Sequence, residues 1–326
     1  MPEVTLVEAV KMALARALAD DARVIVLGED VGPDGGVFRA TDGLYERFGS
    51  ERVIDTPLAE AAIAGVAVGL AVEGMRPVAE IQFSGFAYPV LDQLISHASR
   101  LRNRTRGRLA CPLVIRAPFG GGVRAPEHHS ESMEALYAHI PGLRVVIPSS
   151  PARAYGLLLA AIADPDPVVF LEPKRLYRAT REEVADDGTP LPLDRAFTLR
   201  SGDDLTLVTW GAMVREATAA ADALAGEGVS VELIDAATVA PLDFDAVIAS
   251  VTQTGRCLIV HEAPLTGGVG AEIAARLASD ALLSLLAPVT RVGGYDTVMP
   301  LPKLEAQYMP GVPRILAAAR GVLAYS

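Results

Sequence analysis

The chain has 326 residues, enough for two domains at ~150 residues each. Its 51% apolar and 21% charged content is that of a globular protein and excludes disorder over most of the length. With 40 acidic against 29 basic side chains, a net charge of −11, no Lys/Arg run and 5% aromatics, it is poorly suited to nucleic acid or an anionic membrane surface.

From the N-terminus, Met1-Pro2-Glu3-Val4-Thr5 shows no basic region followed by an apolar segment, so no secretory signal is read and a cytoplasmic location is expected. Apolar residues at helical spacing predict a helix over 4–19, and a β-branched run predicts a strand over 24–27. A helix over 57–73 follows, then a strand at 78–81 and a helix over 88–102. The uninterrupted apolar stretch 61–72 is twelve residues, short of the ~20 that span a bilayer, and predicts a buried helix. A strand at 113–116 runs into a Gly-rich loop, 118–130, and strands at 145–147 and 168–171 flank a helix over 152–163. Strands apolar on both faces and separated by helices imply a parallel sheet covered on both sides.

Residues 178–192 are polar and hold two prolines, which marks the linker. Beyond it the alternation resumes with strands at 205–209, 229–234, 257–260 and 289–292 and helices over 214–225 and 270–278. The expected architecture is two α/β domains, residues 1–185 and a smaller 186–326. Cys111 and Cys257 sit beside strand-like runs and are expected as reduced, buried thiols.

Few segments can carry chemistry. His-Glu-x-x-His, Cys-x-x-Cys, Gly-x-Ser-x-Gly and Walker motifs do not occur. Gly268-Val269-Gly270 resembles the front of a dinucleotide fingerprint but lacks its third glycine and its distal acid. In Asp55-Thr56-Pro57-Leu58-Ala59-Glu60, Pro57 suits a first helical turn, which Glu60 would share. The plain role for Glu60 is a capping acid; the apolar run behind it favours a buried proton-transfer group. In Gly120-Gly121-Gly122-Val123-Arg124-Ala125-Pro126-Glu127-His128-His129, the glycines allow a loop to fold over a ligand, and the histidines titrate near neutrality. Catalysis and a solvated loop account for that segment equally well. Gln82-Phe83-Ser84-Gly85-Phe86 follows a strand, where an aromatic either stacks on a heterocycle or packs in the core.

Together these segments resemble the β subunit of the thiamine-diphosphate-dependent decarboxylating component of 2-oxo acid dehydrogenase complexes. The resemblance runs from Leu27-Gly28-Glu29-Asp30-Val31-Gly32 through Asp55–Glu60, Arg76–Phe83, His128-His129-Ser130-Glu131 and Pro141–Pro148 to Glu262-Ala263-Pro264. The stretch Phe170–Arg178 is most similar to the branched-chain enzymes. The resemblance implies a transketolase-like pyrimidine-binding domain followed by a transketolase-like C-terminal domain. It implies that Glu60 bonds N1′ of the cofactor's aminopyrimidine, that Phe86 stacks on that ring beside Leu58 and Gln82, and that His129 is the active-site histidine. It also implies that Leu113, Ala161, Ile162, Asp164 and Asp166 hold a structural monovalent cation such as K⁺.

Two segments depart from the family pattern. Asp235-Ala236-Ala237-Thr238 replaces Asp-Leu-Arg-Thr, and Leu265 stands where an arginine commonly follows Ala-Pro. The Gly-Asp-Gly that begins the Mg²⁺ and diphosphate site of such enzymes is absent from the sequence. The expectation is therefore an enzyme active only with an α subunit, two α and two β chains together, which holds Mg²⁺ and shares thiamine diphosphate. Its acyl product would pass to the lipoyl domain of a dihydrolipoyl acyltransferase core. Branched-chain 2-oxo acids are the expected substrates, with pyruvate or acetoin as the alternatives. A non-catalytic α/β scaffold is the rival of another class, and it has no use for Glu60, Phe86 and His129 together.

Overall fold

The computed structural model describes residues 1–325. They form two compact units: residues 1–119 with 136–193, and residues 120–135 with 194 onward.

In the first unit, six parallel strands run in the order Arg144–Val146, Val168–Pro173, Val114–Phe119, Arg76–Glu80, Val24–Gly28, Val53–Asp55. The strands Val24–Gly28, Val114–Phe119 and Val168–Pro173 are buried at every position, as β-branched runs covered on both faces should be. Leu6–Asp20 packs on Pro151–Ala163, and Glu60–Val72 on Tyr88–Ser96. A capping box of Thr5 and Glu8 starts the first of these helices, and Ser150 caps the second by accepting from Arg153 N. Strand order reverses between Val24–Gly28 and Arg76–Glu80: the chain first moves to one side of Val24–Gly28, then returns to build on the other. The carboxyl ends of such a pair of strands frame a crevice.

The second unit holds a five-stranded sheet, ordered Thr290–Gly294, Cys257–Pro264, Leu205–Thr209, Val231–Asp235, Phe197–Arg200. The first four strands are parallel; Phe197–Arg200 is an antiparallel edge. Both cysteines are free and buried. Among the described residues no helix is long and apolar enough to cross a membrane.

Several sequence expectations need correction. Residues 178–192 are no loose linker: Arg16 Nε meets Asp186 Oδ1 at 3.1 Å, Tyr155 Oη donates to the same oxygen at 2.8 Å, and Leu191 N donates to Gly156 O at 2.9 Å. The compact units accordingly divide after Leu193. The stretch predicted as one helix over 88–102 breaks into Tyr88–Ser96, a 3₁₀ turn and Leu101–Arg104. The helices Phe244–Thr254 and Val312–Leu323 were not predicted. Nor is Glu60–Val72 buried all round. It buries Ile63, Ala64, Ala67 and Ala71 but leaves Ala62 and Val66 exposed, because a helix apolar on every side can seat only one face on the sheet.

Candidate active site

The crevice at the strand reversal gathers most of the residues singled out in the sequence. Glu29 and Asp30 follow the end of Val24–Gly28, and Gln82 follows the end of Arg76–Glu80. Gln82 Nε2 donates to Asp30 Oδ2 at 2.9 Å and so spans the two strand ends. Glu60 begins its helix after the third strand of the crevice, and Asp55 at that strand's end accepts from Gly32 N at 2.5 Å. A Cβ on Gly32 would lie 2.7 Å from the Asp55 carboxylate, so only glycine permits this approach. Burial, together with the charges of Asp30 and Glu60, pushes the Glu29 carboxyl above its ordinary range. Three carboxyl groups therefore crowd one place, the setting in which a proton is easily held and passed on. Leu58, two residues before Glu60, is 70% exposed.

Phe86 is half-buried at the end of the 3₁₀ turn Ser84–Phe86. Its ring stands edge-on to Phe83 with centroids 5.6 Å apart, Phe83 stands edge-on to Phe38 at 5.5 Å, and Phe38 meets Tyr177 at 5.1 Å. This ladder of rings fixes Phe86 from beneath. At its foot lies a fully buried charge network. Arg116 donates to both oxygens of Glu172 at 2.6 and 3.0 Å and to Glu80 at 2.7 Å, and Tyr177 Oη donates to Glu172 at 2.6 Å. Burial pushes the Glu80 carboxyl up, although the Arg116 charge opposes the shift. The sequence reading missed Glu29, Asp30 and this network; a run of strand-end charges at 80, 116 and 172 was its only sequence signal.

His129 lies in the second unit, on the 3₁₀ turn Glu127–His129, its ring 4.3 Å from that of His128. The Gly-rich loop is tied down by its own unit. Glu262 accepts from Gly121 N at 3.0 Å, and Glu305 accepts from Gly122 N at 2.9 Å and Arg124 N at 3.0 Å. Below it, Trp210 Nε1 donates to buried Glu134 at 3.2 Å and stacks on His261 at 5.3 Å. Burial, reinforced by the Glu262 charge, pushes the Glu134 carboxyl up to about 7. Burial likewise pulls the His261 imidazole down to about 4. Gly268 and Gly270, the front of the incomplete fingerprint, leave room for that ring: a Cβ on Gly270 would stand 2.7 Å from His261 Nε2.

The residues expected to hold a cation are drawn together, yet each is already engaged. Leu113 O accepts from Val168 N at 2.8 Å and Ala161 O from Asp164 N at 3.3 Å. Ile162 O accepts from Arg76 Nη1 at 2.7 Å, and the same nitrogen reaches Asp164 O at 3.4 Å. Asp164 pairs with Arg144 at 2.9 Å and Asp166 with Arg102 at 2.7 Å. Arg76 Nη1 puts positive charge on Ile162 O and Asp164 O, and each of these carbonyls keeps a second lone pair.

Comparison with known proteins agrees with this organisation. The transketolase pyrimidine-binding domain family matches residues 2–180, and the transketolase C-terminal domain family matches 194–315. The chain is 49% identical over 325 residues, 100% of both chains, to the pyruvate dehydrogenase E1 component subunit beta of Bacillus subtilis. It is 47% identical to that subunit of Acholeplasma laidlawii, over 98% of both. The chain belongs to the E1 β-subunit family of thiamine-diphosphate-dependent 2-oxo acid dehydrogenases. A solved structure described as a split-gene transketolase, inactive β4 tetramer, superposes with a TM-score of 0.82 over 99% of both chains at 23% identity, which shows the shared fold.

The branched-chain expectation finds no support among these relatives, which are named for pyruvate. The stretch that suggested it, Phe170–Arg178, begins with a buried strand whose Glu172 holds Arg116 and Tyr177. A segment under packing constraint is a poor reporter of substrate. At one of the departures from the family pattern, Ala236 and Ala237 are buried, and Ala237 takes a left-handed φ of 50° with its N–H on Asp235 Oδ1 at 3.1 Å.

Proposed function

We propose that the chain is the β half of an enzyme of two α and two β chains that oxidatively decarboxylates pyruvate and passes the acetyl group to a lipoyl arm of a dihydrolipoyl acyltransferase. The observation that carries this reading is the full-length identity of nearly half to relatives named for pyruvate. Acetoin remains the second substrate to compare.

The crevice fits an aminopyrimidine: it offers a carboxylate at Glu60, the Phe86 ring and the apolar Leu58 side chain. Thiamine diphosphate, when bound, supplies the carbon nucleophile and the electron sink that decarboxylation of a 2-oxo acid needs. Glu60 would hold a proton against the pyrimidine N1′ and exchange it when the cofactor is bound. Phe86, braced by Phe83, and Gln82, fixed by Asp30, would help hold that ring. His129 supplies an acid–base group for acyl transfer, as a positioned imidazole does near neutrality. Mg²⁺ and the diphosphate fall to the α chain, since Gly-Asp-Gly is missing here. Exposed Leu58 and Val66, 70% and 56% accessible, offer that partner apolar surface.

The test is reconstitution with an α chain that carries Gly-Asp-Gly, assayed with a lipoyl domain against pyruvate, 3-methyl-2-oxobutanoate and acetoin. Pyruvate should give the highest kcat/KM. A higher value for 3-methyl-2-oxobutanoate overturns the substrate, and robust turnover by the chain alone overturns the shared site. Glu60→Gln should lower the rate by ~10²–10⁴-fold, the scale of a lost acid–base group.

A further inference from the structure

The loop that bears His129 is built from positions that do not hold themselves in place. Gly120 and Gly122 have φ of 82° and 81°, and Arg124, which is not glycine, has φ of 57°. Such left-handed residues interrupt regular hydrogen bonding and leave the amides between them facing one way. Those amides are met by two carboxylates from far along the chain. Glu262 accepts from Gly121 N at 3.0 Å and from Ser132 Oγ at 3.4 Å, at the two ends of the loop. Glu305, the first residue of the short helix Glu305–Tyr308, takes Gly122 N on Oε1 at 2.9 Å and Arg124 N on Oε2 at 3.0 Å. Glu305 is 5% exposed and Glu262 6%, so water competes little for these charge-assisted bonds. The neck of the loop closes where Gly120 N donates to Glu131 O at 2.9 Å. Room is tight there: a Cβ on Gly121 would lie 2.5 Å from Met299 Cε.

We propose that Glu305 is a positioning residue for His129: its carboxylate binds the paired amides of Gly122 and Arg124 and so sets the arc of the loop that presents the imidazole. Glu262 fixes the ends of that loop and Glu305 its middle. The proposal deepens the functional reading above and rests on it, since it assumes that His129 acts in acyl transfer. Glu305 touches neither substrate nor cofactor in this account. Its removal changes where the imidazole is held and leaves the pyrimidine crevice of the first unit intact.

The test uses the full chain for amide hydrogen exchange and the enzyme reconstituted with its α chain for kinetics. In Glu305→Ala, exchange at Gly122 and Arg124 should speed by at least ~10-fold, the loss of a bond that shields each amide. Acyl transfer to the lipoyl domain should fall by ~10-fold or more, with the KM for pyruvate and the affinity for thiamine diphosphate within a few-fold of wild type. Glu305→Gln keeps one acceptor oxygen, able to take Gly122 N and Arg124 N as Oε1 does at 2.9 and 3.2 Å, but sets an NH2 where Oε2 accepted, so it should restore part of both. Should the alanine variant fail to fold, Glu305→Asp, one methylene shorter, should fall between the glutamine variant and that expectation. Unchanged exchange in Glu305→Ala overturns the anchor, and faster exchange with wild-type acyl transfer overturns its positioning role. Wild-type acyl transfer in His129→Ala would instead sink the role given to that histidine, a separate failure that leaves the exchange result standing.

Discussion

The crevice of the first unit and the histidine loop of the second are held by different means. In the crevice, Glu29, Asp30, Gln82 and Phe86 hang from the ends of adjacent buried strands, so the sheet itself fixes their spacing. In the loop, His129 stands on a short 3₁₀ turn, and remote carboxylates, Glu262 from the strand Cys257–Pro264 and Glu305 from a short helix, take up the backbone instead. Regular structure places groups to within the tolerance of its own hydrogen bonds, whereas a loop is only as well placed as its anchors. The crevice is thus expected to resist single substitutions at its rim and to depend on the charges beneath it. The loop should respond to single anchors.

The largest expected effect breaks the crevice from below. Arg116→Met leaves Glu80 and Glu172 buried without their cation and should destabilise the chain by ~3–5 kcal/mol, measured by denaturant unfolding. A loss under 1 kcal/mol would show that the strand-end charges are incidental.

Next is the floor of the loop. The Glu134 carboxyl is pushed up to about 7 by burial, so the folded chain holds this proton more tightly than the unfolded chain does. Its contribution is fully present below the unfolded value of about 4.5, declines as pH rises, and is lost above about 7. Glu134→Gln should remove this slope and stabilise the chain at pH 8 by an amount on the order of 3 kcal/mol. Parallel pH–stability curves for the two proteins would contradict it.

Phe86→Ala should weaken thiamine diphosphate binding to the reconstituted enzyme by ~1–3 kcal/mol, and titration gives the number. An unchanged affinity would place the ring in the packing ladder alone. The smallest effect expected is none: replacing K⁺ by choline at equal ionic strength should leave Tm unchanged, because Arg76 already serves Ile162 O and Asp164 O. A K⁺-specific rise in Tm would restore the cation site that the resemblance implied.

Much of this organisation was legible in the sequence. Period and composition exposed strands at 24–27, 113–116 and 168–171, observed as 24–28, 114–119 and 168–173, because a strand buried on both faces must be apolar throughout. The apolar run after Glu60 located the helix that carries the carboxylate, but that helix begins at Glu60, so Pro57 precedes it and does not share its first turn. Helices Phe244–Thr254 and Val312–Leu323 were equally legible and were passed over: buried Val247, Ser250, Val251 and Thr254, and Ile315, Ala319 and Val322, stand at helical spacing.

What the sequence determined by itself is what nearest neighbours along the chain decide: which segments are strands or helices, and which short motifs carry titratable groups. Tertiary structure decided everything that depends on distant residues meeting. It drew residues 120–135 into the second unit, because Glu262 and Glu305 bind their amides. It brought Arg76 to the expected cation corner, 86 residues from its carbonyl partner Ile162. It also buried Arg116 between acids 36 and 56 residues away. No local pattern encodes such pairings, since they are set by how strands are ordered in the sheet and how the chain returns to them.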